Sequence, residues 1–216
     1  MIFIPVTRPW SMIPVIDALE DAEPREKRVM LLIDAPGCEC WEREFQARHW
    51  ETMVYYTGNP APPEGRIERR RRQRDMRLMS KAMMRCADSE LTLFIEDDTI
   101  LPPKAWRTLF EIWYNDPFAC DAVSGHQYGR HGQLIPGLWH YDREAQCYDP
   151  VWNEGTFRVD ACGLYCLMTM SDLYARTPIS ESEYLPVDIC QTKNILDIVA
   201  TTRVRCGHLL ENGDIL

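Results

Sequence analysis

Residues 91–99, LTLFIEDDT, decide how this chain is read. Leu91, Leu93, Phe94 and Ile95 with β-branched Thr92 make a short apolar strand, and Glu96, Asp97 and Asp98 sit at its carboxyl end. A solvated acidic turn is the plain explanation. Carboxylates at a strand tip are also how Mg²⁺ or Mn²⁺ is held beside phosphates. Side-chain alternation along an extended run puts Glu96 and Asp98 on one side and Asp97 on the other.

Two further strand ends carry polar residues. Ile2–Val6 (IFIPV) ends in Thr7 and Arg8, and Val29–Ile33 ends in Asp34. Between these runs lie helical patterns: one capped by Ser11 and reaching Asp21, one over 41–50, and a long one from Arg66 to Cys86. TMVYY (52–56) supplies another strand, and a helix with prolines at its start covers 102–114. Strands alternating with helices predict an α/β fold, a single domain with a mostly parallel central sheet flanked by helices. Ligands of such sheets bind beyond the carboxyl ends of the strands, where these polar residues converge. The second half is less regular. Residues 124–157 show no clear period but hold Tyr128, Trp139, Tyr141, Tyr148 and Trp152, which argues against disorder. A strand-like run over 163–170, a capped helix from Ser171, a helix over 188–199 and a strand over 201–206 complete the pattern.

Composition narrows the function classes. With 45% hydrophobic and 26% charged residues in 216, the chain has the make-up of a globular protein. No run approaches the roughly 20 apolar residues of a membrane span, and the first residues lack a signal-peptide pattern, so the expectation is a cytoplasmic protein. The nine cysteines show no repeated Cys-x-x-Cys pair and read as reduced thiols, mostly buried. His126, His131 and His140 are too widely spaced to argue for a second metal site.

Charge is uneven. Residues 66–86 hold nine basic and two acidic residues, leaving a net of −16 on the rest of the chain. One basic helix on an acidic body suits a local anionic ligand better than general coating of a nucleic-acid backbone. At 100° per residue, Arg66, Arg70, Arg74, Arg77 and Lys81 form one stripe, most simply a solvated face. Leu78, Met79, Ala82, Met83 and Cys86 fall roughly opposite. Arg71 and Arg72 extend the apolar face toward the helix start, where guanidinium forks can meet a diphosphate.

Taken in order, these pieces resemble the nucleotide-sugar glycosyltransferases of the GT-A fold, near family 2. FIPVTRP and LLIDAPG look like the family's first two strands, LFIEDDTILP like its acidic metal motif and VDACGLYCLMTMSDLY like its glycine-containing acceptor strand. LPVDIC looks like its catalytic segment and TTRVRCGHL like its closing strand with a metal histidine. The resemblance covers about residues 2–209 and divides the domain into a nucleotide-binding half (1–100) and an acceptor-side half (101–216). It implies Asp98 and His208 as ligands of Mn²⁺ or Mg²⁺, and Thr7, Arg8, Asp34, Glu96 and Asp97 around the donor, with a UDP-sugar foremost; the basic helix adds Arg71, Arg72 and Arg74 to the donor side. It implies Asp188 as the general base of an inverting transfer and Gly163 on the acceptor-side strand, while the aromatic segment over 128–152 offers Trp139 and Tyr141 as a stacking platform for the acceptor.

The motifs also depart from the family. Its Asp-x-Asp is Glu96-Asp97-Asp98 here, its Glu-Asp base motif is Val187-Asp188, and no Gln-x-x-Arg-Trp is present. The acceptor stays open between a carbohydrate, lipid-linked or small molecule and a hydroxylated DNA base. Two other functions remain open: a nucleotidyltransferase, disfavoured by the absence of glycine in PVTRPWSM, and a non-catalytic nucleotide-sugar-binding module.

Overall fold

The computed structural model describes residues 1–22, 27–48, 50–59, 61, 63–116, 119–128, 135–182, 185–195 and 197–216. The first half alternates as its periodicity demands: β1 (Ile2–Val6), α1 (Met12–Asp21), β2 (Arg28–Ile33), α2 (Glu39–Ala47), β3 (Glu51–Tyr56), α3 (Gly65–Cys86), β4 (Leu91–Ile95). β5 (Thr99–Ile100) and α4 (Ala105–Asn115) follow, then β6 (Ala122–His126), β7 (Leu138–Asp142), β8 (Cys147–Pro150), β9 (Thr156–Val159), β10 (Ala161–Cys162) and β11 (Cys166–Met170). The chain closes through α5 (Ser171–Arg176), α6 (Val187–Thr192), β12 (Ile198–Arg205) and β13 (Gly207–His208).

Eight strands form one sheet in the order β3-β2-β1-β4-β11-β6-β12-β9. The β3-β2-β1-β4 block is parallel, as is β6 with β12, while β11 runs antiparallel between β4 and β6. The fold class is therefore the expected one: a large, mostly parallel central sheet flanked by helices.

Alternation assigns each strand's side chains to two cores. Ile2, Ile4, Leu31, Leu93 and Ile95 pack on one face with Val15, Ile16 and Leu19 of α1 and Trp41 and Phe45 of α2. Phe3, Met30, Leu32 and Phe94 pack on the other with Met76, Met83 and Met84 of α3 and Tyr174 of α5. Each such side chain contributes about 1.5–3 kcal/mol. β1, β2 and β4 are thus anchored on both faces, and their carboxyl ends stay close together.

Several local expectations are corrected. Ser11 stands at the N-cap of α1 as expected, but its hydroxyl makes no capping bond and donates to the Arg8 carbonyl at 3.2 Å. Ser171 bonds Thr92 at 2.7 Å instead of capping α5. The helix expected over 188–199 stops at Thr192, because Ile198–Ala200 pair with both β6 and β9. The aperiodic stretch holds the β7–β8 hairpin and β9. On α3, Leu78, Ala82 and Cys86 are exposed, and burial falls on Arg72, Met76, Arg77, Ser80, Met83 and Met84. No described helix is long and apolar enough to cross a membrane.

Candidate active site

Three strand ends build the site. At the end of β4 the extended chain turns, with the Thr99 amide donating to the Glu96 carbonyl at 3.1 Å. Alternation therefore ceases after Ile95, and the three carboxylates take three directions, contrary to the expected pairing of Glu96 with Asp98.

Asp97 turns toward β1. Its carboxylate accepts from the Arg8 amide at 2.7 Å, from the Thr7 hydroxyl at 3.0 Å, from the Thr7 amide and from the Arg8 guanidinium. This ties the ends of β1 and β4 together and fixes the Thr7–Arg8 turn. A pocket opens beside it, lined by Thr7, Arg8, Gln73, Arg77, Glu96 and Asp97.

Asp34, at the end of β2, is buried and bonded. The Thr57 hydroxyl (2.7 Å) and the Asn59 amide (2.6 Å) donate to one carboxylate oxygen, and Arg72 Nη2 donates to the other at 2.9 Å. Arg72 also donates to the Asp34 and Ala61 carbonyls. The first turns of α3 therefore do lie over the strand ends, because α3 runs back to feed β4.

Asp98 is fully buried, with His208 Nε2 3.2 Å from its Oδ2 and Arg8 Nη1 3.4 Å away. His208 Nδ1 faces the Tyr128 carbonyl at 3.0 Å, which orients the ring. Two residues 110 positions apart thus present an oxygen and a nitrogen to one point. The two side chains bond each other here, and a carboxylate oxygen and an imidazole nitrogen are donor types that would suit a divalent cation. Among the described residues no third His, Cys, Asp or Glu completes a metal-binding group.

Asp188 lies in the first turn of α6. Its Oδ1 accepts from Arg77 Nε at 3.0 Å and Nη2 at 2.7 Å, and the same guanidinium is 3.9 Å from Glu96. Arg77 thus bridges a carboxylate on the β4 side to one on the α6 side. Burial alone would lower its pKa, but Asp188, Tyr174 and Glu96 more than offset that and raise it.

No family model matches the sequence, and no curated protein matches it. Solved structures do. GalNAc-T7, solved with UDP, GalNAc and Mn²⁺, aligns with 97% of this chain and 43% of its own, at a TM-score of 0.64 and 10% identity. TarS of S. aureus aligns with 94% of this chain and 36% of its own, at 0.62 and 12%. A197 from STIV covers 100% and 91%, at 0.57 and 13%. The fold is GT-A-like. The chain spans less than half of GalNAc-T7 and about a third of TarS.

Within the GT-A-like frame, the structure brings Thr7, Arg8, Asp34, Arg72, Glu96, Asp97, Asp98 and His208 to the strand ends, with Asp188 joined through Arg77. Arg71 and Arg74 are not brought there: Arg71 is exposed, and Arg74 reaches Glu181 at 3.1 Å. The arginine stripe is a solvated face only at its start, where Arg66 is exposed. Arg70 donates to the Ser182 and Leu185 carbonyls, Lys81 to the Thr177 carbonyl, and Arg77 is buried. Arg77 is the site residue that sequence reasoning missed; its angular position among exposed arginines gave no sign of a carboxylate waiting on α6.

In the segment expected to face the acceptor, β10 pairs with β7 and packs against α6, where Thr192 donates to the Cys162 carbonyl at 2.6 Å. Tyr141 is exposed and its ring lies 5.1 Å from that of Tyr148, while Trp139 is half-buried on the same strand. Gly163 has a packing reason, since a Cβ there would stand 2.5 Å from the Tyr165 ring. His126 packs edge-on to Tyr128, His140 faces Asp160, and His131 lies outside the described residues.

Proposed function

We propose that this protein is a glycosyltransferase that moves a sugar from a nucleoside-diphosphate sugar, foremost a UDP-sugar, to a hydroxyl acceptor with inversion. The observation that supports it most is the line Asp98/His208, Glu96, Arg77, Asp188. Arg77 and Glu96 line the pocket at the ends of β1 and β4, Arg77 carries the link on to Asp188, and Asp98, paired with His208, follows Glu96 and Asp97 in the same turn after β4.

In this reading Asp34 and Arg72 border the nucleobase, and Thr7, Arg8 and Glu96 border the ribose and diphosphate. Asp98 and His208 hold Mn²⁺ or Mg²⁺, which would neutralise charge on the departing diphosphate. Arg77 holds Oδ1 of Asp188, so Oδ2 faces the acceptor hydroxyl and takes its proton as oxygen attacks the anomeric carbon. The nucleoside diphosphate leaves from the opposite face. Trp139 and Tyr141 flank the acceptor. GalNAc-T7, which shares the fold, was solved with UDP and Mn²⁺, in keeping with such a donor and ion.

Donor turnover tests this. Release of nucleoside diphosphate from a panel of nucleotide-sugars, with water as default acceptor, is expected from one nucleotide class in Mn²⁺. Asp188→Asn should slow it by about 100-fold or more while leaving donor affinity unchanged. Weakened donor binding in Asp188→Asn would remove it from the base role. Binding of donor with no turnover on any acceptor tried would favour a non-catalytic module.

A further inference from the structure

The amino-terminal half of α3 carries a surface that the donor pocket does not use. Arg66, Arg69 and Arg71 are exposed, and none donates a hydrogen bond or forms an ion pair with another described residue. Ile67 is 88% exposed among them. Among the described residues Arg74 pairs with Glu181, itself largely exposed, which is a weak, screened contact. Arg66, Ile67, Arg70, Arg71 and Arg74 together line one shallow depression. Ile67 thus offers an apolar contact among arginines that a ligand could cover.

We propose that this face docks single-stranded nucleic acid, and that the acceptor hydroxyl is carried on that strand. The inference rests on the transferase reading above and names the class of its acceptor. Three observations favour this occupant. First, the surface is cationic while the remainder of the chain outside 66–86 carries −16, so a polyanion is attracted here and repelled elsewhere. Second, Arg70 is bonded to the Ser182 and Leu185 carbonyls, on the segment that leads directly into α6 and Asp188. The arginine face therefore adjoins the segment that carries the proposed base. Third, flat partners for bases are to hand on the same face: the guanidinium planes of the exposed arginines and the exposed Ile67 of α3. A membrane surface is the poorer occupant, since an interfacial helix buries a broad apolar face and the apolar face of α3 is packed in the core.

The size of the effect follows from geometry. Arg66 to Arg74 spans about 12 Å at 1.5 Å per residue. One strand carries a phosphate about every 3.4 Å, so the patch meets about three to four of them. The logarithm of affinity should then fall with log salt at a slope of about −2.5, or roughly 30-fold from about 50 to 200 mM. In the double variant Arg66→Gln/Arg71→Gln the slope should shrink to about −1, a fall of roughly fourfold over the same range.

The experiment is fluorescence anisotropy of a labelled oligodeoxynucleotide titrated with the whole protein across that salt range. Inorganic polyphosphate and phosphatidylserine–phosphatidylcholine vesicles are run alongside. Support is binding with the stated slope, its reduction in the double variant, and preference for the oligonucleotide over both alternatives. No binding at low salt, an unchanged slope in the variant, or equal or tighter binding of polyphosphate or vesicles overturns the proposal. A thermal shift of the wild-type protein with UDP-sugar is read separately, so a wrong acceptor and a wrong donor reading give different results.

Discussion

Arg77→Met removes the guanidinium that joins the two sides of the site while keeping a straight, apolar side chain in its place. Side-chain exposure is 10% for Arg77, 21% for Asp188 and 27% for Glu96. Removing one partner of a fully buried ion pair costs about 3–5 kcal/mol, because the other charge stays unpaired in a dry site. Asp188 keeps some access to water, so the expected loss is smaller, about 2–3 kcal/mol. For a chain of this size that corresponds to a fall in Tm of roughly 5–10 °C. Circular dichroism melts of wild type, Arg77→Met, Asp188→Asn and the double variant form a cycle. If the two side chains act on each other as the 2.7 Å contact implies, the double variant is less destabilised than the sum of the singles, by about 1–2 kcal/mol. Donor turnover should fall in Arg77→Met as far as in Asp188→Asn, because an unheld carboxylate no longer faces one direction. Additive melts, or a loss below about 0.5 kcal/mol in Arg77→Met, would refute the clamp.

Two further outcomes follow from burial. Burial pushes the Cys38, Cys120 and Cys162 thiols up to about 12, so brief treatment with iodoacetamide at neutral pH should alkylate exposed Cys86 first and leave those three unmodified until the chain is unfolded; mass spectrometry of the labelled peptides decides. His126 has its pKa lowered by burial and by Arg205, so the unfolded chain takes up its proton first as pH falls. Its neutral burial costs no stability above about pH 6.5 and an increasing amount below it. His126→Gln should flatten the Tm–pH curve between about pH 6.5 and 5, and an unchanged curve would exclude His126 as its source.

The first half of the fold was legible because its strands are buried on both faces and end in polar residues. IFIPV, VMLLI and LTLFI announce parallel strands without help from neighbours. Asp98 and His208, 110 positions apart, were singled out separately at strand ends, and only the fold shows that they meet. What failed depended on tertiary pairing. The β7–β8 hairpin turns at Gln146, a non-glycine residue with φ 54°, so the Asn-Gly or Gly signal of a tight turn is absent from the sequence. β12 begins inside an apparent helical pattern because two neighbouring strands claim Ile198–Ala200. The arginines of α3 illustrate the same limit. Helical angle sorts them into stripes, yet Arg72 and Arg77 are buried because Asp34 and Asp188 stand opposite, on elements far away in sequence.

The central claim is a cation-assisted nucleotide-sugar site at the ends of β1 and β4. Calorimetric titration of UDP-sugar into the protein, with and without Mn²⁺, tests it most directly, with Asp98→Asn as the paired variant. The account predicts binding that strengthens at least tenfold with Mn²⁺ in the wild type and loses that dependence in Asp98→Asn, whose melt stays cooperative. Binding equally tight without the ion, or an undiminished Mn²⁺ effect in Asp98→Asn, would contradict it.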